Sequence, residues 1–290
     1  MTAESRAALL LLAPAAVILV VFFFAPVLAG FGLSLTDFDL YSLGDLHHTR
    51  VVALHNYREL LGSGIFWTAF ANTLYFALVG GPLTVIVSLA AALLVNARLT
   101  KYKAFFRTVY FAPVVTTLVA VAIVFKYIYH PRFGMLNRAL GALHLPTPDW
   151  LGNPRLAMFA IILLAVWKGF GYTMIIFITG LQNIPEELYE AARIDGAGKW
   201  QQFRHVTVPM LGPTFLFVGV VVAIGQMQIF AEPYVMTQGG PLNKTVTMVM
   251  LMYQQGFKFW RMGYAASVAF ILFLLIGAAT VLQMRMQERR

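Results

Sequence analysis

Ala7 to Thr36 passes without one Asp, Glu, Lys or Arg, and so do Leu60 to Ala97, His205 to Ala231 and Met262 to Met284. Runs of this length have few destinations. About 20 helical residues cross the roughly 30 Å hydrocarbon layer of a bilayer. Thr108 to Phe125 is shorter but equally free of charge, and Leu156 to Leu181 is apolar except for Lys168. The pattern predicts an all-α integral membrane protein with six transmembrane helices. Their spans are 8–34, 69–97, 108–128, 156–181, 210–231 and 262–284, in one domain over 1–290. Spanning strands do not fit, because the runs are continuous rather than alternating and are too long.

Composition agrees with burial in lipid. Apolar residues make up 60% of the 290 and charged residues 11%, against about 25% charged in an ordinary soluble domain. A soluble core of this size could not hide that much apolar surface, and a disordered chain needs the opposite balance. The absence of cysteine removes disulfides, thiolate zinc sites and a cysteine nucleophile. The first run, with Arg6 before it, has the order of a secretory signal. It far exceeds the 7–15 apolar residues of a signal core, so a retained helix is expected.

The net charge of +9 would suggest nucleic acid in a soluble protein. Here it is an orientation signal, and no nucleic-acid partner is expected. With the N-terminus inside, segments 1–8, 98–108, 182–210 and 284–290 carry eleven basic residues in 55 positions. The opposite loops 35–66, 126–156 and 232–262 carry nine in 94. The denser side is the cytoplasmic one, which places both termini in the cytoplasm. Trp67, Tyr75, Tyr102, Tyr110, Tyr127, Tyr129 and Trp150 fall near span ends, where amphipathic rings sit well.

The long polar segment 183–209 has a coherent local plan. Asn183 is an N-cap, Pro185 suits a first turn, and Glu186 and Glu187 meet the positive helix end. Leu188, Ala191, Ala192 and Asp195 share a face, which the two alanines keep slim. Gly196 and Gly198 bracket a turn. A second short helix then carries Trp200 and Phe203 on one side, and Pro209 separates it from the fifth span. Two readings stand on physics alone: a solvated loop, or a protrusion whose apolar spots need a docking partner.

Glu190-Ala191-Ala192, three residues, Gly196, nine residues and Val206-Thr207-Val208-Pro209 resemble the E-A-A-x3-G-x9-I-x-L-P signature of permease subunits in ABC importers. Valine stands for isoleucine and leucine. Asp195-Gly196-Ala197 is similar to the D-G-A of the sugar-type branch. Asn56-Tyr57 with Leu60-Leu61, Asn72-Thr73-Leu74, Phe106-Arg107-Thr108 with Pro113, and Thr237-Gln-Gly-Gly-Pro241 with Thr245 resemble further family motifs, in order along nearly the whole chain. The last is typical of the larger-type subunit of glycerol-3-phosphate and maltose transporters, here without the extra helices and inserted domain of the maltose type.

The resemblance implies the type I importer permease fold in a bacterial or archaeal plasma (inner) membrane. It implies a transmembrane subunit of an ATP-driven, binding-protein-dependent carbohydrate importer. The partners would be a second homologous permease, two ATP-binding subunits and an extracytoplasmic solute-binding protein. Glu190, Ala191, Ala192, Arg193, Asp195, Gly196, Ala197 and Pro209 would belong to the ATPase-coupling segment. Thr237, Gly239, Gly240 and Pro241 would form a loop on the binding-protein side. A glycerol-3-phosphate or polyol cargo is the alternative.

No catalytic or metal site is expected in the chain itself. There is no GxxxxGKS/T, HExxH or GxSxG pattern, so ATP and Mg would be bound by the partner ATPase subunits. His47-His48 has no companion ligand and reads as solvated. Lys168 is the one charge inside a predicted span, beside Gly169, Gly171 and Tyr172. It either lines a substrate path with Tyr172 or pairs with main-chain carbonyls. Gln226 and Gln228 are amides in the fifth span, where polar groups need partners; the resemblance implies that sugar is held by amides and aromatics in this region, although Ile229 departs from a polar position. A stand-alone secondary transporter is the competing class. The predicted spans contain no Asp or Glu to relay protons, which weighs against it.

Overall fold

The computed structural model describes residues 3–39, 49–97 and 101–288; His47, His48 and Arg98 lie outside them. Regular structure among the described residues is helical, apart from one antiparallel bridge between Thr36 and Val51. Five helical stretches are long and apolar enough to cross a membrane: Leu11–Ser34, Gly64–Asn96, Ala157–Gln182, Gly212–Met236 and Met262–Met286. The remaining stretch is two helices, Lys103–Val115 and Leu118–Ile128, which meet at 97°. The sequence predicted one span over 108–128. The break follows from Pro113, which lacks the N–H that would bind the preceding turn, and from the β-branched run Val114 to Thr117. Thr116 and Thr117 adopt extended backbone there, and the Thr116 hydroxyl donates to the Pro113 carbonyl at 2.6 Å.

The chain divides into two compact units, Met1–Trp67 with Leu251–Leu274, and Thr68–Met250 with Leu275–Arg290. In the first, Asn56 Nδ2 donates to the carbonyls of Ser34 and Thr36 at 2.9 and 2.8 Å. The Tyr57 and Ser34 hydroxyls meet at 2.7 Å. The N-Y pair therefore fastens the short His55–Gly62 helix to the end of the first span. Gly263 lies so near that end that a Cβ would stand 2.1 Å from the Thr36 carbonyl oxygen. Arg261 bonds Glu59 at 2.6 Å, and that hydrogen bond holds the Glu59 carboxyl below its usual range. By contrast, the most apolar window of Leu11–Ser34 is 0% buried, so lipid or another chain must cover it.

The second unit is built around Ala157–Gln182, half of whose most apolar window is buried. The N-terminal half of this helix packs Ile161, Ile162 and Leu164 against Phe76, Val121 and Ala122. Its C-terminal half packs Met174, Phe177 and Ile178 against Ala92, Leu211 and Val218. Apolar all round, it suits burial on all sides. Lipid solvates leucine as well as a protein does, so close backbone approach rather than hydrophobicity must join the helices. Gly171 supplies it: a Cβ there would lie 2.1 Å from the Tyr110 carbonyl oxygen. At Gly180 a Cβ would lie 2.5 Å from Thr214 Oγ1. Ser88 adds a polar tie, donating to the Phe170 carbonyl at 3.0 Å and pairing with the Thr173 hydroxyl.

Gly171→Ala should therefore cost about 1–3 kcal/mol of stability by overpacking. Gly169, with nothing within 4 Å of its would-be Cβ, should accept alanine without loss. Thermal unfolding of the two variants in nanodiscs checks this; equal midpoints would refute the close contact.

Candidate functional site

Within the second unit, a cavity of about 460 Å³ opens among the Gly64–Asn96, Ala157–Gln182 and Gly212–Met227 helices. Tyr172, Gln226 and Gln228 all line it, together with Thr84, Phe230 and Glu232. The sequence placed Tyr172 on the fourth span and both glutamines on the fifth; the fold brings them to one cavity. Helix Gly212–Met227 ends at Gln228, and the chain restarts as Ala231–Met236 after a kink at Phe230. That break turns Gln228 and Glu232 toward the same space. Buried Thr247 donates from its hydroxyl to the Ile229 carbonyl at 2.9 Å, satisfying a group that the break frees. Gln226 Nε2 reaches Thr84 Oγ1 at 3.4 Å.

Glu232 corrects an expectation. The spans were predicted to hold no carboxylate, with the fifth ending at 231. The apolar stretch in fact continues to Met236 with Glu232 inside it. A charge was taken as the end of the span, but this one sits in the first turn of a new helix, where an anion is favoured.

Lys168 is not part of the cavity wall. Its ammonium donates to the carbonyls of Pro113 at 3.0 Å and Thr116 at 2.8 Å, with Val114 at 3.4 Å. These are the free acceptors at the C-terminal end of Lys103–Val115, where the helix dipole favours a cation. Of the two readings of this lysine, the geometry matches the one in which it pairs with main-chain carbonyls. Pro113 and the β-branched residues after it are the local signal of the break it closes, which the reading of 108–128 as one span passed over.

The 183–209 segment begins with the helix Glu186–Ile194. Pro185, rather than Asn183, occupies the cap position. Arg193 bridges Glu186 at 3.2 Å and Glu190 at 3.7 Å, exposed pairs of small energetic worth. The helix ends in a complete glycine-dependent motif. Gly196 has φ +79°; its N–H bonds the Arg193 carbonyl at 3.1 Å, and the Ala197 N–H bonds the Ala192 carbonyl at 2.8 Å. Trp200 and Phe203 stack at 5.4 Å. The break before the fifth span comes at Leu211, two residues beyond Pro209. Tyr189 and Thr207 join their hydroxyls at 2.9 Å, tying the two short helices together. Ala191, Asp195 and Gly196 are exposed, and so are Leu188, Ile194 (87%) and Trp200 (70%).

Thr237, Gly239, Gly240 and Pro241 form a self-bonded loop. The Thr237 and Thr245 hydroxyls meet at 2.6 Å, and Thr245 also donates to the Gly240 carbonyl at 2.8 Å. Gly239 has φ +90°, and a Cβ there would lie 2.7 Å from Val246. Asn72 Nδ2 donates to the carbonyls of Asn243 and Val246, both at 2.9 Å, and the Met248 N–H donates to Thr73 Oγ1 at 2.9 Å. Two motifs distant in sequence are thus halves of one lock. Thr237, Gly240 and Pro241 border a second cavity of about 440 Å³ with Lys126, His130 and Asp149.

Residues 84–290 match the family model described as "Binding-protein-dependent transport system inner membrane component". The chain is 37% identical over 266 residues to the probable ABC transporter permease protein YurN of Bacillus subtilis (strain 168), covering 90% of this chain and 89% of that one. It is 36% identical over 234 residues to the lactose transport system permease protein LacF of Rhizobium radiobacter, covering 79% and 78%. Among solved structures, a chain of a bacterial ABC transporter involved in import of the acidic polysaccharide alginate superimposes with a TM-score of 0.80 at 20% identity, over 99% of this chain and 96% of that one. The expected importer permease fold is the one found.

Removing the Lys168 ammonium should leave the Val114 and Thr116 carbonyls unpaired and the Pro113 carbonyl with only the Thr116 hydroxyl. Lys168→Met should speed hydrogen–deuterium exchange across 110–118 by about tenfold or more, since a charge-assisted hydrogen bond is worth roughly 1.5–3 kcal/mol. Exchange unchanged from wild type would show that the cap carries no weight.

Proposed function

The chain belongs to the family of binding-protein-dependent transport system inner-membrane components, and we propose that it forms half of the translocation pathway of an ATP-driven carbohydrate importer. The names of the lactose, arabinooligosaccharide and multiple-sugar permeases among its relatives support the cargo class. A second homologous permease completes the pathway. Two ATPase subunits bind ATP and Mg, and an extracytoplasmic binding protein delivers the sugar. The chain itself is a non-catalytic membrane subunit, with both termini and the 183–209 segment in the cytoplasm.

One observation carries the coupling role. The helix Glu186–Ile194 and the Trp200 turn present Leu188, Ile194 and Trp200 outward, on a scaffold locked by the Gly196 cap and the Tyr189–Thr207 bond. An exposed apolar surface on a rigid support is a docking surface rather than a solvated loop. Closure of the ATPase pair moves this support and, through it, the helices around the cavity. Tyr172, Gln226 and Gln228 face the sugar there: amides bond hydroxyls, and the ring packs on the apolar face of a pyranose. The Thr237–Pro241 loop faces the binding protein. The presence of Glu232 inside a span weakens one argument against a secondary transporter. The family, with its dependence on a binding protein, favours the importer.

Gly196→Asp tests the coupling. The position has open space around it but a left-handed backbone, so the substitution strains the cap without filling the docking surface. In the reconstituted complex, binding-protein-stimulated ATP hydrolysis should fall to the unstimulated rate while the subunits remain associated. Stimulation at the wild-type level would sink the assignment.

A further inference from the structure

The charge pattern around the 460 Å³ cavity says more about its cargo than the aromatic and amide residues do. Its walls hold one carboxylate, Glu232, and no Lys or Arg among the described residues that line it. The nearest cation, Lys168, has its ammonium bonded to the Pro113, Val114 and Thr116 carbonyls. Three N–H groups meet three acceptors, so none is left to grip a ligand. The remaining polar groups are neutral amides and hydroxyls: Gln226, Gln228, Thr84, Tyr172 and Thr173.

Such a wall treats two kinds of sugar differently. Hydroxyls of a neutral glycan can donate to Glu232 and exchange hydrogen bonds with the amides, leaving nothing unpaired. A carboxylate or phosphate brought against this wall finds no ammonium or guanidinium free to bond it, loses water, and faces Glu232. An unpaired charge in a desolvated site is expensive, and a like charge beside it adds to the cost.

We propose that this cavity admits uncharged glycans and rejects anionic ones such as uronates and sugar or polyol phosphates, with Glu232 as the discriminating group. The proposal rests on the reading above, in which the cavity lies on the sugar path, and it decides against the glycerol-3-phosphate alternative. It also separates this chain from the alginate importer whose fold it shares, since that cargo is acidic.

Saturation-transfer NMR on the complete transporter in nanodiscs, without the binding protein, reads the selectivity directly. Lactose and digalacturonate serve as neutral and anionic probes of similar size. Wild type should bind lactose about tenfold or more better than digalacturonate, as expected for a missing cation and a like charge. Gly169→Trp, whose bulk enters the cavity, should abolish the lactose signal. Glu232→Lys should reverse the preference. Glu232→Gln, the milder change should the lysine variant fail to assemble, should narrow the gap while retaining lactose. Digalacturonate binding wild type as well as lactose, in a manner blocked by Gly169→Trp, overturns the selectivity but keeps the cavity as the site. Lactose binding that ignores Gly169→Trp removes the cavity from the path, and this inference with it.

Discussion

A main chain crossing hydrocarbon must satisfy every N–H and C=O from within the protein. Most of the polar residues in the spans of this chain serve that requirement. At two of the interruptions among the described residues a side chain stands at the gap. Lys168 meets the carbonyls left by the 97° break after Val115. Thr247 meets the Ile229 carbonyl left by the break after Met227. The breaks can therefore persist at membrane depth, and one of them lets Gln228, Phe230 and Glu232 face the cavity instead of continuing along a helix.

The same requirement explains how much was legible in the sequence. Long uncharged runs are a direct consequence of the solvent, so they marked the spans. The cap of the Glu186–Ile194 helix is a local matter of proline, acidic residues and glycine, and it was readable from its own few residues, with only the cap position shifted from Asn183 to Pro185. The partner of Lys168 was not readable, because it lies more than fifty positions away and depends on a bend at Pro113 that the uncharged run was read straight through. Glu232 was missed because a charge was taken to mark a boundary. Within a broken span, a charge can face a cavity while the apolar stretch continues. Pro233, immediately after Glu232, was the one local hint that a new helix begins there.

Several surfaces are finished only by other chains or by lipid. The most apolar window of Leu11–Ser34 is wholly unburied, and Ile194 and Trp200 project from an otherwise fastened segment. These exposures have different chemistry. The first is a continuous apolar cylinder, as lipid or another transmembrane helix requires. The second is a small apolar patch among Glu187, Glu190 and Lys199, as a water-facing docking surface requires. Two kinds of neighbour are thus encoded on one chain, which fits a subunit better than a self-sufficient transporter.

The helix Ala157–Gln182 links these features. It carries Lys168 at the bend, Gly169 and Tyr172 at the cavity, Gly180 in contact with the fifth span, and then leads through buried Ile184 into Glu186–Ile194. From Tyr172 to Gln182 is about 15 Å along a helix axis. That stretch is one unbroken helix free of proline, with Met174, Phe177 and Ile178 buried, so it transmits displacement better than a loop would. A push on the docking helix reaches the cavity wall through one rigid element. The bend capped by Lys168 stands just beyond the cavity on the same path, where the stiffness of the chain ends. The cavity wall and the lead-in to the 183–209 segment share a helix, and Lys168 caps the bend on the far side of the cavity from that segment.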